Sequence, residues 1–434
     1  MSMVNHPKVY GTAAVATAFV AGILLTLGLK DLYSDVEDRY QKARRKSFRN
    51  SSIYRSSVSL EEHTESTQSI VEAPEIPEGI EGCIGNTPLF KIRSLSEATG
   101  CTILAKAEFL NGAGGSPKDR VALNMIKLGE ERGLLTPGQG DTIYEGTVGS
   151  TGISLATLAR AKGYKAYICM PNDQSTEKSD LLHHLGAEVE RVTPAPITST
   201  GHFVNLARRR AQEHTASSQD KSRGFFADQF ESEANYQAHV GSTGPEIYLQ
   251  TGGQLDAFVA GAGTGGTISG IAIYLKHHMH MSALRIILAD PVGSGLYNKV
   301  KHGVMFSNTE REGTRRRQQV DTIVEGVGIN RLTENFEHGR ELIDDAVKVT
   351  DLQAMKMARW LVEKDGIFVG SSSAVNCVAT VVAALQMPKG SRVATVLCDS
   401  GTRHLSKFWK KVGELGLEGE HDDLLSLLKI KAPV

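Results

Sequence analysis

A lysine stands where a glycine-rich loop enters an amphipathic run: Gly-Gly-Ser-Pro over residues 114–117 precedes Lys118. Backbone amides at the start of a helix can hold a phosphate, and burial of a lysine there lowers the pKa of its amine. An amine in that state can form a Schiff base with an aldehyde cofactor. Taken alone, a lysine in such a loop is most often a solvated surface residue, so the neighbouring motifs have to decide its role.

Two loops rich in hydroxyl groups also stand between a strand-like run and a helix-like run. Residues 145–152 read Glu-Gly-Thr-Val-Gly-Ser-Thr-Gly, and residues 370–374 read Gly-Ser-Ser-Ser-Ala. Hydroxyls and the unpaired amides of a helix start suit a carboxylate or a phosphate. The same residue types are common helix caps, so in isolation a structural role is the simpler interpretation of either loop.

A third loop is the most glycine-rich: residues 261–267 read Gly-Ala-Gly-Thr-Gly-Gly-Thr. Its four glycines let backbone amides come close to an anion, and its two threonines add hydroxyl donors. Gly261, Gly263 and Gly266 also satisfy the G-x-G-x-x-G pattern. Asp290 follows at about the distance expected of a ribose-binding acid. A dinucleotide-dependent dehydrogenase therefore stays open as an alternative.

Alternating strand-like and helix-like runs connect these loops from residue 80 onward. Short apolar runs bounded by glycine or proline predict strands at 102–107, 142–144, 165–170, 188–191, 257–260, 285–289 and 392–397. Longer amphipathic runs predict helices at 118–132, 151–162, 176–185, 267–277, 351–365 and 372–385. The alternation predicts an α/β fold with twisted, mostly parallel sheets, in which ligands bind beyond the carboxyl ends of the strands.

The composition limits the classes of function. The 434 residues include 48 Lys and Arg against 49 Asp and Glu, a formal net charge of −1, so we expect no nucleic-acid partner. The content of 40% hydrophobic residues is typical of a folded body. The five cysteines are scattered and form no C-x-x-C pair, so we expect neither a disulfide framework nor a metal site.

An uncharged segment precedes the folded body. Residues 9–29 are 21 consecutive positions without a charge, and a helix of that length would reach about 32 Å, enough to cross a hydrocarbon core of about 30 Å. A cleaved signal peptide and a mitochondrial presequence are the alternatives. Basic residues follow the segment: Arg39, Lys42, Arg44, Arg45, Lys46, Arg49 and Arg55. This charge bias predicts a single-pass membrane protein of the mitochondrial outer membrane, or else of the endoplasmic reticulum, with its body facing the cytosol.

These features predict four parts of the chain. They are an N-terminal membrane anchor at 1–34, a flexible linker at 35–78, a catalytic body at 79–410 and a C-terminal tail at 411–434. The smaller lobe of the body is expected at roughly 120–228, with the larger lobe formed by the remainder. We expect the tail to dock on the body as a helix.

In combination and in their order, the motifs resemble those of the cysteine synthase/cystathionine β-synthase family. The matching segments are 84–89 (Ile-Gly-Asn-Thr-Pro-Leu), 114–120, 145–152, 243–247 (Thr-Gly-Pro-Glu-Ile), 263–267, 370–374 and 399–403. The resemblance covers about residues 81–406. It implies a two-lobed pyridoxal-phosphate enzyme of fold type II, related to the tryptophan synthase β fold, and a homodimer.

The resemblance also implies roles for individual residues. Lys118 would be the catalytic residue and would bind the aldehyde of pyridoxal 5′-phosphate, and Ser372 would face the ring nitrogen. The other cofactor-binding residues would be Ser150 at the ring oxygen and, around the phosphate, Gly263, Thr264, Gly265, Gly266 and Thr267. The residues that would hold the substrate carboxylate are Thr147, Gly149, Thr151 and Gln229.

The implied reaction is a β-replacement in which O-acetylserine and sulfide give cysteine and acetate through an aminoacrylate intermediate. Lys118 would remove the α-proton before acetate leaves and sulfide adds. Cysteine desulfhydrase, which releases sulfide by β-elimination, is one alternative, and serine-based cystathionine synthesis is another. An alternative of a different class is a catalytically weak, membrane-tethered binding or scaffold protein.

That last alternative comes from departures from the family pattern Thr-Ser-Gly-Asn-Thr at residues 147–151. Val148 removes a hydroxyl from the carboxylate site, and Ser150 is shorter than the asparagine that normally bonds the ring oxygen, so a water would have to bridge the gap. Residues 299–322 look like an insertion. Its four arginines, at 311 and 315–317, would form a solvated basic face or an anion site.

Overall fold

The computed structural model describes residues 76–174, 176–219, 221–305, 322–416 and 423–430. The strands are β1 (Leu89–Lys91), β2 (Thr102–Ala107), β3 (Thr142–Gly146), β4 (Lys165–Pro171), β5 (Glu188–Val192), β6 (Gly224–Phe226), β7 (Ala257–Gly261), β8 (Arg285–Pro291), β9 (Asp345–Val349) and β10 (Arg392–Leu397). The α-helices are α1 (Arg93–Thr99), α2 (Lys118–Glu131), α3 (Ser150–Ala161), α4 (Thr176–His184), α5 (Phe203–Ser217), α6 (Ala234–Ala238), α7 (Gly244–Thr251), α8 (Gly266–Ala272), α9 (Leu296–His302), α10 (Glu334–Arg340), α11 (Asp351–Asp365), α12 (Ser371–Leu385), α13 (Lys410–Glu414) and α14 (Leu424–Leu428). Shorter 3-10 and π-helical turns are Ile80–Cys83, Glu108–Leu110, His239–Thr243, Ile273–His278, Gly401–His404 and Leu405–Trp409.

Six strands form one sheet in the order β1-β2-β10-β7-β8-β9. β1 runs antiparallel to β2, and the other neighbours are parallel. The central strands are buried over nearly their whole length, because helices cover both faces of a parallel sheet and its strands are therefore continuous apolar runs. β7 and β10 are neighbours, so the loops that follow them emerge at the same edge.

The other four strands form a parallel sheet in the order β5-β4-β3-β6. Its hydrophobic core includes Val121, Met125 and Ile126 of α2 and Leu155 of α3. Apolar residues recur at this spacing because one face of each helix packs on the sheet. β3 ends at Gly146, so residues 147–149 carry the chain directly from this sheet into α3.

Helix α12 is the most completely buried helix near these loops, with 13 of its 15 residues buried. Its sequence is composed largely of serine, alanine and valine, whose small side chains let neighbouring elements approach closely. The serines at its start therefore lie inside the protein and not at a solvated cap.

The predicted α/β fold with mostly parallel sheets is confirmed. The bounds of β2, β10 and α11 agree with the predicted 102–107, 392–397 and 351–365. The helix predicted at 267–277 is two elements, because α8 ends at Ala272 and continues as the π-helical turn Ile273–His278. The tail docks as expected: Leu424, Leu427 and Leu428 of α14 are buried.

The membrane localisation predicted from the N-terminal segment is wrong. Within the described ranges, the structure contains no helix with the length and apolarity that a membrane crossing requires. The longest described helices have 15 residues and reach about 22 Å, short of a hydrocarbon core of about 30 Å. Residues 9–29, on which the prediction of an anchor rested, and the insertion's arginines lie outside the described residues.

Candidate active site

The carboxylate of Asp119, the residue after Lys118, holds the loop that precedes Lys118. Asp119 is fully buried and accepts the amides of Gly114 at 2.8 Å and Gly115 at 2.9 Å. The hydroxyl of Ser154 in α3 donates to the same carboxylate at 2.6 Å. Gly115 has a φ of +66°, a conformation that glycine adopts without strain. The start of α2, and with it Lys118, is thereby fixed against the start of α3.

The amine of Lys118 lies among neutral groups. Burial lowers its pKa, and Cys398 is the group that opposes the shift. Burial raises the pKa of the Cys398 thiol to about 12, and the hydroxyl of Ser372 bonds to that thiol. Burial and the charge of Lys118 lower the pKa of His239 to about 3, so its imidazole is neutral. None of these neighbours is a counter-ion that would offset the effect of burial on the pKa of Lys118. A larger fraction of its amine is therefore neutral and nucleophilic than in a solvent-exposed lysine.

His239 connects this amine to the glycine turn, which we define as residues 261–267. Its Nδ1 lies 2.9 Å from Thr243 Oγ1, and its Nε2 lies 3.2 Å from Thr267 Oγ1. Sequence reasoning missed His239, because no local pattern indicates that residue 239 lies beside residues 118 and 267. The threonine of the turn and Lys118 are thus neighbours of one imidazole.

Close packing leaves no space for side chains in the glycine turn. A Cβ at Gly263 would lie 2.5 Å from the carbonyl oxygen of Gly326, and one at Gly266 would lie 2.0 Å from Asn235 Oδ1. Gly265 has a φ of +86° and caps α8. As at any helix start, the amides of the first turn have no intrahelical acceptor and point towards the loop side. The turn therefore offers backbone donors in a narrow cradle that suits a phosphate.

The predicted carboxylate-binding residues are in contact with each other. Thr151 Oγ1 donates to Gln229 Oε1 at 2.5 Å, and the amide of Gly149 donates to Thr147 Oγ1 at 3.3 Å. Gln229 Nε2 lies 3.3 Å from Glu145 Oε1. Burial, reinforced by the charge of Asp228, raises the pKa of Glu145 to about 8. This carboxyl group is therefore largely protonated at neutral pH and adds little negative charge to the loop.

Asn235 joins that group to the glycine turn. Its Nδ2 donates to the carbonyl of Gln229 at 2.7 Å and to Thr264 Oγ1 at 2.8 Å. Thr333 Oγ1 donates to the carbonyl of Thr264 at 2.7 Å. Sequence reasoning missed Asn235 as well, because its contacts are formed only when α6 packs against α8.

Ser150 lies in a different environment from the one expected of it. Its Oγ accepts a hydrogen bond from Arg403 Nη2 at 3.2 Å, while Arg403 Nη1 donates to the carbonyl of Gly114 at 2.6 Å. A hydroxyl can still donate its own proton, so Ser150 retains one hydrogen bond for a ligand. Arg403 belongs to a motif that the sequence analysis noted, but its contact with residues 114 and 150 was not foreseen.

The three serines of α12 have separate functions in packing. Ser371 Oγ accepts the amide of Glu325 at 3.0 Å, and Ser373 Oγ accepts the amide of Cys398 at 2.8 Å. Ser372 lies 3.9 Å from where a Cβ of Gly326 would stand. Ser372, the glycine turn and the segment around Gly326 thus form adjoining walls of one site.

The acid considered for ribose binding has a structural partner. Asp290 is fully buried, and its Oδ2 accepts the amide of Tyr297 in the first turn of α9 at 2.7 Å. A carboxylate at this position stabilises a helix start. This contact gives Asp290 a structural role and leaves the dinucleotide alternative dependent on the glycine turn alone.

The residues present fit a phosphorylated aldehyde cofactor. The Lys118 amine has a lowered pKa, the glycine turn forms a cradle that a Cβ would fill, and Ser372 supplies a buried hydroxyl. The first group suits an aldehyde, the second a phosphate and the third a ring nitrogen. The aldehyde, the phosphate and the ring nitrogen are three parts of one cofactor molecule. Lys118, the glycine turn and Ser372, which suit these parts, lie in one region of the structure.

Comparisons with known proteins agree with this chemistry. The family model described as pyridoxal-phosphate dependent enzyme matches residues 80–399. The chain is 69% identical to a Neurospora crassa protein named cysteine synthase 2, over 97% of this chain and 96% of that protein. It is 51% identical to a Saccharomyces cerevisiae protein provisionally named a mitochondrial cysteine synthase, over 82% of this chain and 90% of that protein. The crystal structure of O-ureido-L-serine synthase covers 81% of this chain and 100% of its own, with a TM-score of 0.66 and 29% identity.

Proposed function

Because the chain belongs to the pyridoxal-phosphate dependent enzymes, in the branch that contains the cysteine synthases, we propose that it is a cysteine synthase. It replaces the acetate of O-acetylserine with sulfide and so produces cysteine and acetate, using pyridoxal 5′-phosphate as its cofactor. The observation that carries the proposal is the Lys118 amine, whose pKa burial lowers, at the start of α2 beside the neutral Cys398 and His239.

The cofactor would be held at three points. The Lys118 amine would bind its aldehyde, the glycine turn from Gly263 to Thr267 would bind its phosphate, and Ser372 would face its ring nitrogen. Ser150 would contact the ring oxygen through its remaining hydrogen bond. When bound, the cofactor withdraws electrons from the α-carbon of the attached amino acid. A neutral hydroxyl at the ring nitrogen, beside a neutral thiol, favours β-elimination over a long-lived carbanion.

The carboxylate of the amino-acid substrate would bind at the loop of Thr147, Gly149 and Thr151. The Thr151 hydroxyl, which donates to Gln229 Oε1 at 2.5 Å, would turn to donate to the substrate instead. Gln229 would reach the substrate carboxylate only through its Nε2 donor, which in this structure lies 3.2 Å from the carbonyl oxygen of Gly146 and 3.3 Å from Glu145 Oε1. Because Glu145 next to them is largely protonated at neutral pH, it does not repel the arriving carboxylate.

Lys118 also moves the proton of the reaction. With the amino-acid substrate in place, the neutral Lys118 amine would remove the proton from the substrate α-carbon. The lowered pKa of Lys118 increases the neutral fraction of this base, and the neutral imidazole of His239 supplies no proton to it.

Two further features belong to this proposal. The smaller lobe consists of roughly residues 120–228 around the four-stranded sheet, and the larger lobe is the remainder of a body at 79–410. The enzyme acts as a homodimer. Analytical ultracentrifugation of the full chain tests the dimer, and a monomer at micromolar concentration would contradict it.

The test of function is a product assay on the purified full chain with its cofactor. O-acetylserine with sulfide should yield cysteine, and Lys118→Ala should abolish that yield. Lys127→Ala is the matched control, because Lys127 is an exposed lysine on the same helix and should leave activity unchanged. L-cysteine alone is the second substrate. If sulfide and pyruvate form from it faster than cysteine forms from O-acetylserine, the protein is a desulfhydrase, and if neither reaction occurs the proposal fails.

A further inference from the structure

A ring of hydrogen bonds and close polar contacts joins three segments that are far apart in the sequence. Arg403 donates through Nη1 to the carbonyl of Gly114 at 2.6 Å and through Nη2 to Ser150 Oγ at 3.2 Å. Ser154 Oγ lies 2.9 Å from the carbonyl of Ser150 and 2.6 Å from Asp119 Oδ1. Asp119 accepts the amide of Gly114 at 2.8 Å, which closes the ring.

The ring encloses the two helix starts that matter for the reaction. α2 begins with Lys118, and α3 begins with Ser150 directly after the loop of Thr147 and Gly149. Asp119 of α2 and Ser154 of α3 connect these starts directly. Arg403 connects them a second time, from a turn that follows the six-stranded sheet.

Hydrogen bonds at both ends hold the turn that carries Arg403. It lies in the 3-10 turn Gly401–His404, shortly after β10 of the six-stranded sheet. Ser400 accepts the amide of Thr402 to begin that turn, and His404 Nε2 lies 2.9 Å from Asp399 Oδ2 at its end. A planar guanidinium with two donors fixes the distance between the two acceptors that it contacts, which a single flexible ammonium does not do.

We propose that Arg403 is a positioning residue that sets the distance between Lys118 and the loop that binds the substrate carboxylate. It acts through Gly114 and Ser150 and does not itself touch the reacting atoms. This inference rests on the proposed function, because it takes Lys118 as the base and residues 147–151 as the carboxylate site. The guanidinium of Arg403 bonds directly to Ser150 Oγ, so substitutions at these two residues should be coupled.

The experiment compares full-chain holoenzymes carrying Arg403→Ala, Arg403→Lys, Ser150→Ala and the double substitution Arg403→Ala/Ser150→Ala. Arg403→Ala should lower kcat about 10- to 100-fold, because displacement of a reacting group by about 1 Å has an effect of that size. KM for O-acetylserine should change by less than about fivefold, and Arg403→Lys should recover part of kcat. The double substitution should lower kcat by less than the product of the two single effects, because coupled residues are not additive.

A second measurement is independent of turnover. Hydrogen exchange of the cofactor-free protein, followed by mass spectrometry, should show faster exchange at residues 114–120 and 147–152 in Arg403→Ala. Arg209→Ala is the control, because Arg209 is a half-exposed arginine of α5 that pairs with Glu213 at 3.6 Å. It should change neither kcat nor exchange in these segments.

Three results would overturn the inference: kcat of Arg403→Ala within threefold of the wild type, losses from Arg403→Ala and Ser150→Ala that add, or a loss of activity fully explained by loss of bound cofactor. A wild-type protein that makes no cysteine would instead refute the proposed function. In that case the exchange measurement still decides whether Arg403 orders the two loops, with unchanged exchange counting against it.

Discussion

Gly266→Ala would place a methyl group where the structure has no room for one. The added Cβ would lie 2.0 Å from Asn235 Oδ1 and 2.6 Å from Asn235 Cγ, far inside ordinary contact distance. Asn235 is restrained, because its Nδ2 donates to the carbonyl of Gln229 at 2.7 Å and to Thr264 Oγ1 at 2.8 Å. The alanine must therefore either displace the glycine turn or break these hydrogen bonds.

The size of the effect follows from those contacts. Overpacking of a rigid interior costs about 1–3 kcal/mol, and each hydrogen bond lost in exchange costs about 1 kcal/mol. We expect Gly266→Ala to lower the free energy of unfolding by about 2–4 kcal/mol. Because Thr264 and the start of α8 shift with the turn, affinity for pyridoxal 5′-phosphate should fall about 30-fold or more, which corresponds to about 2 kcal/mol.

Urea unfolding of the cofactor-free protein measures the stability, and a fluorescence titration with the cofactor measures the affinity. Gly413→Ala is the matched control, because a Cβ there meets nothing within 4 Å and alanine favours the helix by up to about 1 kcal/mol. Adding Asn235→Ala to Gly266→Ala removes the clash, so the double variant should lose less than the sum of the two singles. The reasoning is refuted if Gly266→Ala unfolds and binds cofactor like the wild type.

Two other predictions concern titratable groups. Burial and the nearby Asp228 raise the pKa of Glu145 from 4.5 to about 8, so the folded protein holds this proton more tightly than the unfolded chain does. The contribution of Glu145 to the free energy of unfolding is fully present below about pH 4.5 and is lost as the pH rises to about 8. Over that range the free energy of unfolding falls by at most about 1.4 kcal/mol per pH unit. Glu145→Gln should remove that slope in urea unfolding between pH 5 and 8, and parallel pH dependences in both proteins would contradict the assignment. The pKa of Cys398 is raised to about 12, so iodoacetamide at about pH 7.5 should label the exposed Cys83 and spare Cys398, as mass spectrometry would show. Rapid labelling of Cys398 in the folded holoenzyme would contradict that raised pKa.

The sequence predicted most of the long elements, because each of those has its own periodic or continuous apolar signal, but it missed the 15-residue helix α5 and the five-residue strand β9. β10 and α11 agree with prediction to the residue, whereas β1 and β6 were missed because each has only three residues. A three-residue strand carries no measurable alternation, and it exists because β2 or β3 offers it a register of backbone partners. The glycines of the turn were noted for their amides. Their packing against Asn235 and Gly326 could be known only from the fold.

The partners of the predicted site residues were less accessible to sequence reasoning. Arg403 contacts residues 289 and 253 positions away, and Thr267 contacts His239 at 28 positions. Such pairs depend on which strands are neighbours in a sheet, and periodicity within one segment carries no information about that. The family motifs predicted the site residues by residue type and order along the chain, and such a motif does not specify the contacts that each residue makes.

A comparison of Lys106 with Lys118 shows what distinguishes a reactive amine. Lys106 is fully buried, and its amine is bound by the carbonyl of Thr87 at 2.6 Å, by Glu246 at 2.5 Å and by Gln250 at 3.0 Å. Burial lowers the pKa of Lys106, but the charge of Glu246 opposes that shift and holds the amine as an ammonium in a salt bridge. Lys118 has the neutral thiol of Cys398 and the neutral imidazole of His239 as its electrostatic neighbours. A buried ammonium without a counter-ion is unfavourable, so Lys118 is the lysine that gives up its proton readily and can react with an aldehyde.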